Sequence, residues 1–219
     1  KELEGRINEL HEHNPMLGHR GCRFGLTHPD VYEMQVRSIV DATIDLVKDG
    51  VDARPEIMIP LVATSSELCT LIESLKVIVE EANSKLDSKL DIPFGTMVEL
   101  PRAALTAKEL AETAAFFSFG SNDLTQMVFG FSRDDAEEKF LRFYLEQGLL
   151  STNPFQTIDK DGVGSLIRIA VEEGRKTKND IQIGLCGEHG GDPESVIFCH
   201  DVGLDYVSCS APRIPAARL

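Results

Sequence analysis

Positive charge is what this chain has least of: 22 Lys and Arg stand against 36 Asp and Glu, for a formal net charge of −14. Nucleic acid and anionic membrane surfaces both call for a basic face, so neither is an expected partner. An anionic substrate would need local arginines or a bound divalent ion to reverse the potential at its site. No apolar run approaches the length of a transmembrane helix, and the opening KELEGRINELHEHN lacks the apolar core of a signal peptide. The expected location is therefore the cytoplasm or an organelle. Cysteine is sparse and odd in number: Cys22, Cys69, Cys186, Cys199 and Cys209 form no CxxC pair, which argues against a disulfide framework and a zinc ribbon. His11, His13, His19, Cys22 and His28 crowd the start, but their spacing matches no zinc pattern. Nucleotide-fold loops of the GxGxxG or GxxxxGKS/T kind are missing too.

What is present is a chain that is 42% apolar, enough for one sizeable core, with strand and helix patterns in alternation. Pro29-Asp30 opens a helix to about Lys48, with Val31, Met34, Ile39, Ala42 and Leu46 as its expected core face. Glu56 to Val62 reads as a buried strand leading out at Pro60. Thr64 to Glu67 then has the capping-box pattern, opening a helix whose apolar face is Leu68, Leu71, Ile72, Leu75, Ile78 and Ala82. Phe94 to Val98 is a second strand, and Thr106 to Glu109 reads as another capping box. Phe116 to Gly120 is the third strand, followed by a long excursion with helical patterns near Asp135–Gln147 and Val163–Lys176. Ile181 to Leu185 is the fourth, with Asp192 and Pro193 opening the next helix, and Tyr206 to Cys209 is the fifth. Five strands, most followed by a helix, mean an α/β fold with a parallel sheet, either open or part of an eight-stranded barrel. With no nucleotide loop present, the barrel is preferred.

The chemistry-bearing residues collect where strands end. FFSFGSNDLTQMVFGFSRDD runs from an apolar strand into a polar turn, and Gly120 permits backbone that other residues resist. Ser121, Asn122 and Asp123 then sit on a loop, where an Asp can hold a hard cation and backbone N–H groups can bind an oxyanion. The same residues would equally serve a turn that uses Asn and Asp for its geometry alone. Glu99 follows the second strand, and Cys186, Glu188 and His189 follow the fourth, with Gly187, Gly190 and Gly191 suggesting a loop that closes over the site. Arg20, between Gly18 and Gly21, is placed to clamp an oxyanion, or to pair with one of the many acids as surface arginines do. Carboxyl ends of strands are where parallel-sheet enzymes place their sites.

NPMLGHRGCR, GTMVELPRAAL, FFSFGSNDLTQMVFGFSRDD, LCGEHGGDPESV and YVSCSAPRIPAARL, in this order, closely resemble the C-terminal phosphoenolpyruvate/pyruvate-binding domain of the pyruvate, phosphate dikinases, over nearly the whole chain. Phosphoenolpyruvate synthases and phosphotransferase enzyme I are similar and share the Asn-Asp and Cys-Gly elements. The resemblance implies a (β/α)8 barrel, present here as about five strand-helix units of its C-terminal part over residues 1–219. It implies phosphoryl transfer between an enzyme phosphohistidine and pyruvate enolate, within the reversible conversion of ATP, phosphate and pyruvate to AMP, pyrophosphate and phosphoenolpyruvate. Glu99 and Asp123 match the family's Mg²⁺ ligands. Gly120, Ser121, Asn122 and Asp123 with Arg20 match its substrate contacts, and Cys186 matches the cysteine that exchanges a proton with the substrate carbon. The remaining cysteines read as structural.

Departures accompany the match. The family's domain begins upstream, and two further substrate-binding arginines and roughly three strands have no counterpart here. The nucleotide-binding domain and the domain carrying the phosphohistidine are also without counterpart, so the expected partners are those domains of the same parent, in a homo-oligomer. The isolated segment is expected to be inactive, a non-catalytic piece of the barrel, with open sheet edges and inner-face residues such as Ile57, Ile59 and Val98 deprived of packing.

Overall fold

A computed structural model describes residues 3, 5, 7, 11–12, 14–86 and 89–219. Five strands, β1 (Ile57–Ile59), β2 (Phe94–Val98), β3 (Phe116–Gly120), β4 (Gln182–Cys186) and β5 (Tyr206–Val207), form one sheet in the order of the chain. Every neighbouring pair is parallel. Parallel neighbours need crossovers, and helices supply them. These are α1 (Cys22–Thr27) and α2 (Pro29–Lys48) before β1, then α3 (Ser65–Asn83), α4 (Pro101–Leu105) and α5 (Ala107–Ala111). The excursion after β3 holds α6 (Ser121–Phe129), α7 (Arg133–Lys139), α8 (Leu141–Glu146) and α9 (Val163–Thr177); α10 (Pro193–Val202) follows β4, and α11 (Ile214–Arg218) ends the chain. A sheet that adds each new strand beside the last, in one direction, is an arc of a β/α barrel.

Register sorts the strand residues onto two faces. Ile57 pairs with Phe94, Thr96 with Phe117 and Phe117 with Ile183, so these side chains share one side, and all are buried. Ile59, Val98, Phe119 and Leu185 extend the same side and pack into the main core with the helices. The other side carries Met58, Gly95, Met97, Ser118, Gly184 and Tyr206. Here the Phe116 ring lies where a side chain on Gly95 would be, and the Tyr206 ring covers Gly184. Ile57, Ile59 and Val98, expected on the inner face, therefore sit against helices and keep their packing. Most residues turned toward the barrel interior are smaller, or exposed as Met58 is, and the large Phe116 and Tyr206 rings lie over neighbouring glycines.

Local signals fare unevenly. The capping box at α3 forms: the Thr64 side chain accepts from the Glu67 N–H, and the Glu67 carboxylate accepts from the Thr64 N–H at 2.8 Å. Leu68, Leu71, Ile72, Leu75 and Ile78 are buried as expected, each contributing about 1.5–3 kcal/mol by leaving water. The second expected box does not form. Thr106 donates its hydroxyl back to the Arg102 carbonyl of α4, and no side chain caps α5. On α2 the buried stripe is Val36, Val40 and Thr43, whereas Met34, Ile39 and Leu46 are exposed. That helix bears two apolar stripes, and the one at 36, 40 and 43 meets α3. The Asp192 cap is as read, its carboxylate accepting from the Ser195 N–H.

On the side opposite the helices the sheet has Met58 at 36% exposure and half-exposed Met97 and Tyr206, and among the described residues β1 and β5 each lack a neighbouring strand on one side. Unpaired edges beside an apolar face favour association. Sedimentation of the isolated 219-residue chain should therefore show concentration-dependent oligomers. A monodisperse monomer across the micromolar range would mean these short edges are already protected.

Candidate active site

Glu99 follows β2, and it is 2% exposed. A buried carboxylate must find donors, and its Oε1 accepts the backbone N–H of Leu61 at 2.7 Å. Leu61 lies just past β1 and holds a left-handed backbone, φ 57°, unusual for a branched residue. The surroundings impose that conformation. Gly21, itself at φ 58°, packs against the Leu61 side chain and the Pro60 carbonyl, leaving no room for a Cβ. The Cys22 N–H donates to the Pro60 carbonyl at 3.0 Å, and its thiol donates to the Leu61 carbonyl at 3.0 Å. Burial foremost lifts the Glu99 carboxyl to about 7; the Leu61 N–H pulls it down and the negative Asp123 adds to the rise.

Asp123 comes from the next strand end. Ser121, Asn122 and Asp123 are the first turn of α6, not a loop: the helix starts directly off β3, with Gly120 as its N-cap and no side chain capping it. Gly120 is required by crowding, because a Cβ there would collide with the Glu99 carboxylate and the end of Met97. Asp123 Oδ1 accepts from Arg20 Nη2 at 2.6 Å, with the two side chains 19% and 35% exposed. Arg20 thus reaches the site from the loop before α1, across 103 residues of sequence. Its Nε and Asn122 Oδ1 are buried without a hydrogen-bond partner among the described residues. The orphaned Arg20 Nε–H is a donor that a bound oxyanion would satisfy, whereas Asn122 Oδ1 is an acceptor and calls for a donor or a cation.

Cys186 closes β4 opposite Gly120. Its thiol points to the Phe119 carbonyl at 3.5 Å. Burial first, then the Glu99 and Asp123 charges, push the thiol up, with the Ser118 hydroxyl partly offsetting them. The sulfur therefore holds its proton at neutral pH. The Ser121 hydroxyl faces inward, 2.9 Å from the Cys186 carbonyl and 2.8 Å from Nδ1 of His189, whose Nε2 lies 2.8 Å from the Pro154 carbonyl. His189 is fully buried, and burial pushes its pKa down. The glycine-flanked loop is packed rather than poised to close: Gly190 abuts the Ser208 carbonyl and Gly191 the Arg213 side chain.

Glu99, Asp123, Arg20, Asn122 and Cys186 converge on one mouth at the carboxyl ends of β2, β3 and β4, with Gly120 making the approach possible. The Ser121 hydroxyl is engaged within the protein rather than turned to the mouth. A shallow cavity of about 270 Å³ adjoins it, lined by Gly187, Glu188, Ser208, Cys209, Ser210 and Arg213. Leu61 is not singled out by the sequence, and His189 only as one of the residues that follow the fourth strand, with its partners unnamed. Leu61 acts through its backbone, and the partners of His189 lie 35 and 68 residues away, so neither set of contacts has a local signal. Among the described residues no three His, Cys, Asp or Glu side chains cluster as a metal site, and Glu99 with Asp123 is a pair. His13, one of the early histidines, lies outside the described residues.

The family model described as "PEP-utilising enzyme, PEP-binding domain" matches residues 1–219. Pyruvate, phosphate dikinases of Clostridium symbiosum and Rhizobium meliloti (strain 1021) are each 51% identical over the whole chain, which spans 25% and 24% of their lengths. A chloroplastic pyruvate, phosphate dikinase of Mesembryanthemum crystallinum is 51% identical over 218 residues, 23% of its length. The chain thus spans about a quarter of these curated relatives. Among solved structures, a citrate lyase from Burkholderia xenovorans LB400 superposes with a TM-score of 0.54 at 13% identity, over 84% of this chain and 52% of that one, a likeness of fold alone. No helix among the described residues is long and apolar enough to cross a membrane.

The raised Glu99 carboxyl has a consequence for stability. Its pKa is about 7 folded against 4.5 when unperturbed, so between those values the folded chain keeps a proton the unfolded chain has lost. This contribution is complete below pH ~4.5 and disappears as pH rises through ~7, amounting to at most about 3 kcal/mol. In divalent-free buffer, the stability of Glu99→Gln relative to wild type should rise from pH 5 to pH 8 in denaturant titrations. A difference that stays flat with pH would show Glu99 already ionised throughout.

Proposed function

Since the chain belongs to the PEP-utilising enzyme family, as its PEP-binding domain, we propose that it hosts the pyruvate half-reaction of a pyruvate, phosphate dikinase. The observation that carries this reading is the convergence of two carboxylates, an arginine and a protonated thiol at successive strand ends. The parent would interconvert ATP, phosphate and pyruvate with AMP, pyrophosphate and phosphoenolpyruvate. The kinship to dikinases at about half identity favours this over a phosphoenolpyruvate synthase or phosphotransferase enzyme I.

Glu99 and Asp123 would hold Mg²⁺. They fit it, being hard oxygen donors whose crowded negative charge a divalent ion relieves, and a pair leaves positions for water and substrate oxygens. When bound, the ion supplies charge stabilisation to enolate and phosphoryl oxygens. Asn122 and the uncapped N–H groups opening α6 would orient the substrate carboxylate, the helix N-terminus favouring an anion. Arg20 would contact the anionic end of the substrate. The Cys186 thiol would deliver its proton to C3 of the enolate, giving pyruvate and a thiolate; in reverse the thiolate removes a methyl proton and leaves the enolate. Burial favours the neutral thiol, which suits the donating step.

His189 is sealed from solvent, so it is not the phosphoryl carrier. That histidine and the nucleotide site would belong to other domains of the same parent, acting in the cytoplasm or an organelle and in a homo-oligomer, and the isolated 219-residue chain would not turn over.

Two substitutions test the assignment in the full-length protein. Calorimetry should show Glu99→Gln and Asp123→Asn each weakening Mg²⁺ binding at least tenfold. Cys186→Ala should abolish pyruvate C3 proton exchange while the nucleotide half-reaction stays intact; exchange at the wild-type rate would remove the thiol from the chemistry.

A further inference from the structure

His189 has no place in the scheme above, yet it is fully buried and bonded at both nitrogens. The Pro154 carbonyl can only accept, so Nε2 carries a proton. In the neutral ring favoured by burial, Nδ1 is then an acceptor facing the Ser121 hydroxyl. That hydroxyl has one proton and two acceptors within reach, Nδ1 at 2.8 Å and the Cys186 carbonyl at 2.9 Å. Ser121 is also the first residue of α6, two positions before Asp123. One buried hydroxyl therefore joins the strand end that carries the thiol, the helix start that carries Asn122 and Asp123, and the imidazole behind both.

We propose that His189 is a positioning residue for Cys186, its Nδ1 sharing the single Ser121 hydroxyl proton with the Cys186 carbonyl in a three-centre hydrogen bond and so fixing the thiol's place against the first turn of α6. This rests on the proton-exchange role given to Cys186 above. The Nε2–H bond to Pro154 sets the tautomer and orients the ring. Loss of the Nδ1 acceptor leaves the Ser121 hydroxyl held by the Cys186 carbonyl alone and loosens that strand end, and a small displacement of a proton-transferring group costs rate without weakening substrate binding.

Amide substitutions separate the two ring nitrogens. Asn places its oxygen near the Nδ1 position and can accept from Ser121, whereas Gln places its amide near Nε2 and keeps only the bond to Pro154. In the full-length enzyme, His189→Gln and Ser121→Ala should each lower kcat for pyruvate C3 exchange at least tenfold, with KM for pyruvate within twofold of wild type. His189→Asn should stay within about threefold of wild type, and the Ser121→Ala/His189→Gln double variant should be no slower than the slower single one. Equal losses in His189→Asn and His189→Gln that follow their melting temperatures, or multiplicative losses in the double variant, would reduce His189 to a structural anchor and overturn the proposal. Wild-type exchange in His189→Gln and Ser121→Ala, alongside its abolition in Cys186→Ala, would overturn this inference alone. Wild-type exchange in Cys186→Ala would remove the underlying reading and this one with it.

Discussion

A carboxylate almost out of reach of water organises the mouth of this sheet. Glu99 accepts one backbone N–H, from Leu61, and that bond decides much of what surrounds it. It needs the chain after β1 to turn back toward β2, which Leu61 achieves only in a left-handed conformation. Such strain costs on the order of 1–3 kcal/mol, and the offset comes from Gly21 and Cys22, which clamp Pro60 and Leu61 from the other side. Clamping there also sets the direction of the segment just before it, which carries Arg20. The guanidinium then meets Asp123 across the mouth. Replacing Glu99 with a neutral apolar residue would leave the Leu61 N–H without its partner, so the acid has a structural duty as well as a chemical one.

The division between the sheet's faces explains why the site opens where it does. Large aliphatic and aromatic residues crowd the helix side. The opposite side uses Gly95, Ser118, Gly120 and Gly184, whose small size lets Phe116, Tyr206 and the Glu99 carboxylate lie flat against the strands. Near the carboxyl ends, the same economy of side-chain volume leaves room for Glu99 beside Gly120 and for Cys186 beside Ser118.

How far this was legible in the sequence follows from the range of each signal. The strands announced themselves as short apolar runs, and the α3 box and the Asp192 cap lie within three residues of their partners, so local pattern sufficed. The two strand faces were assigned the wrong way round because every residue in a run such as Ile57-Met58-Ile59 is apolar; alternation has nothing to mark when both faces are covered. On α2 two apolar stripes compete, and only the position of α3 selects between them. Ser121 to Asp123 looked like a turn because Ser, Asn and Asp favour turns, yet here they open a helix off β3. Of the site, Glu99, Asp123, Arg20 and Cys186 were visible through a family likeness. Their mutual approach was not, since Arg20 and Asp123 stand 103 residues apart.

The excursion after α6 brings hydrophobic packing of its own. Ala136, Leu141 and Phe155 are buried together, with Phe131, Phe140, Leu145 and Leu150 packed around them, apart from the main core. Its ties to the barrel arc include the Pro154 carbonyl at His189 and the Ile158 N–H donating to Ser195 Oγ at 2.9 Å. A segment with a private core and few tethers is a cooperative unit in its own right, able to open while the sheet stays hydrogen-bonded. Its amides would then exchange with solvent deuterium as a group, ahead of those of β2 to β4, and a protease could nick it between α8 and α9 without unravelling the strands that carry the mouth.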